Sequence, residues 1–441
     1  MDYERYFAST AKWVTEIDDP QRSPEVVARA FHVAMQGRPG PVVISLPEDM
    51  LVETASVTDA LRVEAAQAAP GATELARLGE LLAQAKRPIA ILGGSGWTKE
   101  ACAQFRAFAE AFDLPVAASF RRTMLFDAEH ANYAGELSLG ANPALVKRVQ
   151  TAGLVLLIGG RLAEVPSQAY TLLDVPVPRQ RLVHVHADPA ELGRVYQATL
   201  AINATPQGFC DTLSTLASPK TIPWSAETKA ARADYLAFSG LDAPVPGDVQ
   251  LNTIMLWLRQ RLPADAIVTN GAGNYTTWLG RYLRIRQFDG LLAPVSGSMG
   301  YGLPAAVGAK RLHPERMVVS FAGDGCFLMN GQEFATAVQY DLPIVVVVID
   351  NGMYGTIRMH QEREYPGRVS ATLLNSPDFA ALARAYGGHG ESVVKTDEFA
   401  PAFERAVAAH KPAIVHVKID RDAITPATTL TKIREAALKG R

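Results

Sequence analysis

Only three cysteines occur in 441 residues, Cys102, Cys210 and Cys326, widely separated and without a C-x-x-C pair. That scarcity excludes a disulfide framework and a zinc-type cysteine cluster. Charge of one sign is missing too: 43 Lys and Arg against 45 Asp and Glu leave a net charge of −2. Neither nucleic acid nor an anionic membrane is therefore an expected partner. No apolar run approaches the roughly 20 residues of a membrane-spanning helix. The longest wholly aliphatic stretch is Ile344 to Ile349, and the N-terminus, Met1-Asp2-Tyr3-Glu4-Arg5, is charged rather than signal-like. A cytoplasmic setting is expected. A complete G-x-G-x-x-G is also lacking; Gly93-Gly94-Ser95-Gly96 reads as a structural strand-to-helix turn.

What the chain does have is an alternation of helix and strand patterns, which implies parallel α/β sheets. Residues 1–52 carry one helix, Pro24 to Met35 with Ser23 as N-cap, and one buried strand, Val42 to Leu46. One helix and one strand cannot enclose a core, so this segment reads as the C-terminal remnant of a domain. A Pro- and Ala-containing linker is expected at 53–72, a central α/β domain at 73–218, a partly helical linker at 219–247, a second α/β domain at 248–425 and a tail at 426–441. The expected fold class is α/β, with two consecutive parallel-sheet domains behind that remnant.

In such sheets ligands gather beyond the carboxyl ends of the strands. Four loops stand there. Gly323-Asp324-Gly325 follows the strand containing Val318, Val319 and Phe321, and Asp350-Asn351-Gly352-Met353-Tyr354-Gly355 follows Ile344 to Ile349. Asn351 lies 351 − 324 = 27 positions after Asp324. Glycines flanking a carboxylate let backbone N–H groups approach an anion, while the carboxylate and an amide oxygen suit Mg²⁺, which shares its shell with phosphates and water. Alone, a Gly-Asp-Gly or an Asn-Gly is more often a plain turn. Ser296-Gly297-Ser298-Met299-Gly300-Tyr301-Gly302 could bring main chain to a ligand, or serve as a helix lead-in with a core methionine. Asn270-Gly271-Ala272-Gly273-Asn274-Tyr275 could hold phosphate, or be a turn. Asn330-Gly331-Gln332-Glu333 reads as a capping box opening a helix through Phe334, Ala337 and Val338. His184 and His186 alternate on one strand and share a face; without a third ligand nearby they read as packing and hydrogen-bonding residues.

Together the four loops resemble the diphosphate-binding domain of thiamine-diphosphate-dependent enzymes, in the acetolactate synthase and benzoylformate decarboxylase group. The resemblance covers essentially the whole chain. Gly37-Arg38-Pro39-Gly40-Pro41-Val42 and Pro47-Glu48-Asp49 match the end of that group's pyrimidine-binding domain, and Ser298 to Ala306 strengthens the match. The resemblance implies an acetolactate-synthase-like transferase or lyase of branched-chain amino acid biosynthesis, acting on a 2-keto acid such as pyruvate and assembled as a homodimer or homotetramer. It implies thiamine diphosphate and Mg²⁺ as cofactors. Asp324, Asn351 and the Met353 carbonyl would hold the metal. Asn274, Tyr275, Gly297, Ser298, Met299, Gly323, Gly325, Cys326 and Tyr354 would join them around the cofactor, with Met299 as an apolar wedge beneath it and the Gly297 carbonyl holding its amino group.

Two departures from the group follow. The activating carboxylate belongs to the part of the pyrimidine-binding domain expected upstream, so no catalytic residue is assigned; Glu16, Glu48 and Asp49 read as surface or turn residues. The Gly- and His-containing flavin loop of acetolactate synthases is replaced by Ser119-Phe120-Arg121-Arg122-Thr123, which disfavours FAD. Arg121, Arg122 and Arg161 are expected to be solvated or ion-paired. Alternatives to the synthase reading are a cofactor-binding remnant or half of a split enzyme, and a simple 2-keto acid decarboxylase.

Overall fold

A computed structural model describes residues 1–440. Its strands, in chain order, are β1 Trp13–Glu16, β2 Val42–Ser45, β3 Pro88–Leu92, β4 Val116–Ser119, β5 Tyr133–Leu137, β6 Leu154–Ile158, β7 Arg181–His186, β8 Leu200–Asn203, β9 Ile267–Asn270, β10 Leu291–Leu292, β11 Val318–Gly323, β12 Val345–Asp350, β13 His389–Val393 and β14 Ala413–Lys418. They form a two-stranded sheet, β1-β2, and two six-stranded parallel sheets ordered β5-β4-β3-β6-β7-β8 and β10-β9-β11-β12-β14-β13. The α/β class is as expected. The chain divides into two interleaved compact units, one of Met1–Leu114, Thr151–Arg161 and Leu173–Trp224, the other of Pro115–Gln150, Leu162–Leu172 and everything from Ser225 onward.

In the first unit, β3, β6 and β7 are buried along almost their whole length. Strands covered on both faces read as continuous apolar runs rather than alternating ones. The turn after β3 shows why glycine is required there: Gly94 has φ +72°, and a Cβ on it would overlap the Gly159 carbonyl group, its carbon 2.6 Å away. His184 lies 2.9 Å from the Gly160 carbonyl oxygen through Nε2, and the His186 ring accepts the Asp188 N–H at 3.0 Å. Among the described residues no group of three or more His, Cys, Asp or Glu is arranged to hold a metal.

The N-terminal segment differs from expectation. Trp13–Glu16 forms a second strand, pairing in parallel with Val42–Ser45, and Ile17, Val26 and Met50 make a small core with Trp13 and Ile44. Ser23 lies inside the helix Ser23–Met35 rather than capping it; Asp19 instead caps a preceding short turn through Gln21. Val27, Phe31 and Met35, one face at helical spacing, remain exposed. Glu16, Glu48 and Asp49 are exposed as expected.

The second unit holds the sheet that matters for function. In its middle, β12 lies between β11 and β14, and Val346, Val347 and Val348 are fully buried. Each buried valine contributes about 2 kcal/mol of hydrophobic stabilisation. Register brings Gly323 beside Ile349, so β11 and β12 end side by side. The segment 219–247 contains a 16-residue helix, Ser225–Gly240, while residues 53–71 of the first unit carry neither helix nor strand. Among the described residues no helix is long and apolar enough to cross a membrane.

Candidate functional site

The ends of β9, β11 and β12, with the loop 294–300, surround a cavity of about 350 Å³. Asn274, Tyr275, Gly297, Met299, Gly323, Asp324, Gly325, Cys326, Asn351, Met353 and Tyr354 all line it. Ser298 does not; it is exposed, with its hydroxyl 2.7 Å from that of Ser296. Eleven residues chosen from four separate loops thus face one space, because parallel strands deliver their carboxyl-end loops to the same edge.

The loops are fixed to one another through the protein's own groups. The Tyr275 hydroxyl accepts the Gly271 N–H and donates to the Phe321 carbonyl, each at 3.1 Å, so it braces β9 against β11. Gly300, at φ +82°, donates its N–H to the Cys326 sulfur at 3.3 Å. A Cβ on Gly300 would sit 2.8 Å from Met329 Cβ, so only glycine lets the 294–300 loop rest on the helix Asp324–Asn330. That helix corrects the capping-box expectation. Gly323 is its N-cap and Asp324 its first residue, so the chain turns into helix as soon as β11 ends. Asn330 is then the last residue, and its amide donates to the Gly300 carbonyl at 3.3 Å. The next helix begins at Glu333 without a side-chain cap; the Glu333 carboxylate accepts from Thr336 instead.

Asp324 is 3% exposed. Its carboxylate accepts the Met353 N–H and the Ser376 hydroxyl, each at 3.2 Å. Burial, with Asp350 adding to it, pushes its pKa up. Asp350 goes the other way: burial would raise it, but donors led by His416 hold it below the usual carboxylate range. His416 Nε2 lies 2.9 Å from Asp350, and Ser376 bridges the two carboxylates at 3.0 and 3.2 Å. Among the described residues Asp324 has no basic side chain as partner. A buried carboxylate whose hydrogen-bond partners are neutral, sharing its cavity with the Asn351 side chain, is chemistry that fits a hard divalent cation. Space is kept for the amide as well: a Cβ on Gly355 would stand 2.8 Å from Asn351 Nδ2.

Ser376 and His416 were not legible as site residues. Ser376 lies 52 positions from Asp324 in a segment without periodicity, and no signal marks it. For His416 there is one, a lone polar residue inside the apolar run of β14. Arg161 is ion-paired as expected, to Glu191 at 3.2 Å, and the Arg122 guanidinium reaches the Arg121 carbonyl at 3.4 Å. Arg121 is neither solvated nor ion-paired. It is 6% exposed, its N–H is held by the Glu136 carboxylate at 2.6 Å and its Nη1 donates to the Pro294 carbonyl at 2.6 Å.

The sequence matches two family models, described as thiamine pyrophosphate enzyme, C-terminal TPP binding domain, over residues 271–417, and thiamine pyrophosphate enzyme, central domain, over residues 75–216. The acetolactate synthase large subunit of Parasynechococcus marenigrum (strain WH8102) is 31% identical over 425 residues, covering 93% of this chain and 67% of that protein. The chain belongs to the thiamine pyrophosphate enzyme family. This thiamine pyrophosphate enzyme is also similar to the acetolactate synthase isozyme 2 large subunit of Escherichia coli (strain K12), 29% identical over 90% of this chain and 71% of that protein. Sulfoacetaldehyde acetyltransferase of Alcaligenes xylosoxydans xylosoxydans is 28% identical over 91% and 71%. The cavity lies largely within the matched C-terminal region, where Asp324, Asn351 and Met353 all fall.

Proposed function

We propose that this chain is an acetolactate-synthase-like enzyme, dependent on thiamine diphosphate and Mg²⁺, that decarboxylates a 2-keto acid such as pyruvate and transfers the two-carbon unit to an acceptor. The observation that carries this reading is the convergence of Asp324 and Asn351 on one cavity in a member of the thiamine family. Asp324, Asn351 and the Met353 carbonyl would hold the metal, which neutralises a diphosphate set against the backbone of Gly325 and Cys326. Met299, 38% exposed on the cavity wall, would support the cofactor from its apolar side, and the Gly297 carbonyl would orient its amino group. When bound, thiamine diphosphate supplies the electron sink at which CO₂ can depart. FAD has no part in this reading. A cytoplasmic homodimer or homotetramer is proposed with it, supported by the exposed apolar face of Val27, Phe31 and Met35.

Calorimetry of thiamine diphosphate with and without Mg²⁺, on the protein and on Asp324→Ala, tests the site. The variant is expected to lose Mg²⁺-dependent binding; unchanged binding would sink the assignment. Product analysis with pyruvate tests the reaction, acetolactate supporting the synthase and acetaldehyde alone the simple decarboxylase.

A further inference from the structure

The mechanism proposed above leaves one buried charge of the cavity without a task. Arg121 lines the same space as Asp324 and Met299, with its guanidinium carbon 4.8 Å from the centre of the Phe120 ring. Burial works against that charge, pulling the guanidinium below its ordinary pKa, yet an arginine stays charged in proteins. A guanidinium carries five N–H donors. Among the described residues, the single hydrogen bond it makes goes to the neutral Pro294 carbonyl. The nearby carboxylate, Glu136, favours that charge through space but gives its hydrogen bond to the Arg121 backbone N–H rather than to the guanidinium.

That backbone bond has a second effect. Arg121 has φ +56°, a left-handed conformation that costs a non-glycine residue on the order of 1 kcal/mol and is kept where the surroundings impose it, often at functional sites. Glu136 and Pro294 together impose it here, fixing the backbone at one end and the guanidinium at the other. Other cavity-lining side chains from the same strand-end region, Phe120, Leu139 and Val165, are apolar. An arginine fixed in an apolar wall, with donors to spare, is suited to two-point recognition of a small carboxylate.

We propose that Arg121 is the specificity-determining residue that anchors the carboxylate of a short-chain 2-oxo acid substrate in this cavity. The proposal rests on the thiamine diphosphate reading above. The same guanidinium could meet a second anion, the diphosphate of the cofactor, and the test separates the two.

The full chain is loaded with thiamine diphosphate and Mg²⁺ and titrated calorimetrically with oxamate, a carboxylate of pyruvate's size whose amide carbonyl resists attack. Arg121→Gln is expected to weaken oxamate roughly thirtyfold or more, the scale for removing one member of a buried, hydrogen-bonded charge pair, while its affinity for thiamine diphosphate stays within about threefold of the parent's. Arg121→Lys, which keeps the charge but not the planar fork, should fall between. Both variants retain the N–H that Glu136 holds, so neither removes the backbone restraint. The proposal is overturned if Arg121→Gln binds oxamate as the parent does, if it loses thiamine diphosphate instead, or if the loaded parent binds no oxamate. A parent that fails to bind thiamine diphosphate overturns the underlying reading as well.

Discussion

Glu136 gives a quantitative test of how the cavity wall is built. It sits on β5, accepts the Arg121 N–H at 2.6 Å, and burial pushes its pKa from 4.5 up to about 7. An acid with a raised folded pKa is protonated more readily in the fold than in the unfolded chain. Its favourable contribution is therefore present below the unfolded value near 4.5 and is lost as pH rises through about 7. Between about pH 5 and about pH 8.5 the linkage amounts to roughly 2.5 kcal/mol, from a shift of about 2.5 pKa units at 1.36 kcal/mol each, less the part already incurred at pH 5. What little surface Glu136 exposes faces cavities, and allowing for their water leaves about 2 kcal/mol. Glu136→Gln removes the titration while keeping an acceptor for the Arg121 N–H. Urea unfolding of both proteins across that range should show the parent losing about 2 kcal/mol relative to the variant as pH rises. Because other groups titrate alike in the two proteins, they cancel. Parallel stability curves would refute the reasoning.

Two further perturbations probe the supports of the fold. Glu362 is fully buried and holds Arg358, the Arg434 fork at 2.7 and 2.8 Å, and the Gly367 N–H at 2.8 Å. Glu362→Ala would leave two cations without their anion and should cost about 3 kcal/mol in denaturant unfolding, with faster hydrogen exchange in the helix Leu430–Lys439; a loss below about 1 kcal/mol would count against the network. Gly94→Ala adds both left-handed strain and an overlap with the Gly159 carbonyl group, and should cost more than about 2 kcal/mol. A variant as stable as the parent would mean that the two loops separate easily.

The parts of this molecule legible in its sequence are those whose signal is local. A buried parallel strand advertises itself as an apolar run, so β11 and β12 could be placed from theirs, and Asp324 and Asn351 are the residues that directly follow them. Asn330 shows where local signals compete. The Asn-to-Glu spacing of a capping box was present, but Gly323 and Asp324 had already begun a helix that consumed Asn330. Trp13–Glu16 was missed because four residues of mixed polarity carry too little periodicity to mark a strand. Ser376 and Arg121 acquire their roles only through contacts made across the fold, which no window of sequence reports; His416 is marked as a polar residue in the apolar run of β14, but its partner Asp350 is not.

The position of β12 in mid-sheet also sets a schedule for synthesis. Its valines need β14 beside them, and β14 begins 413 − 350 = 63 residues after β12 ends. At roughly 5–20 residues per second, the ribosome takes about 3 to 13 s to make that stretch. For those seconds a strand of four consecutive valines, Val345 to Val348, lacks one neighbour in the nascent chain. The same strand that makes the mature sheet secure is thus an aggregation hazard during its birth.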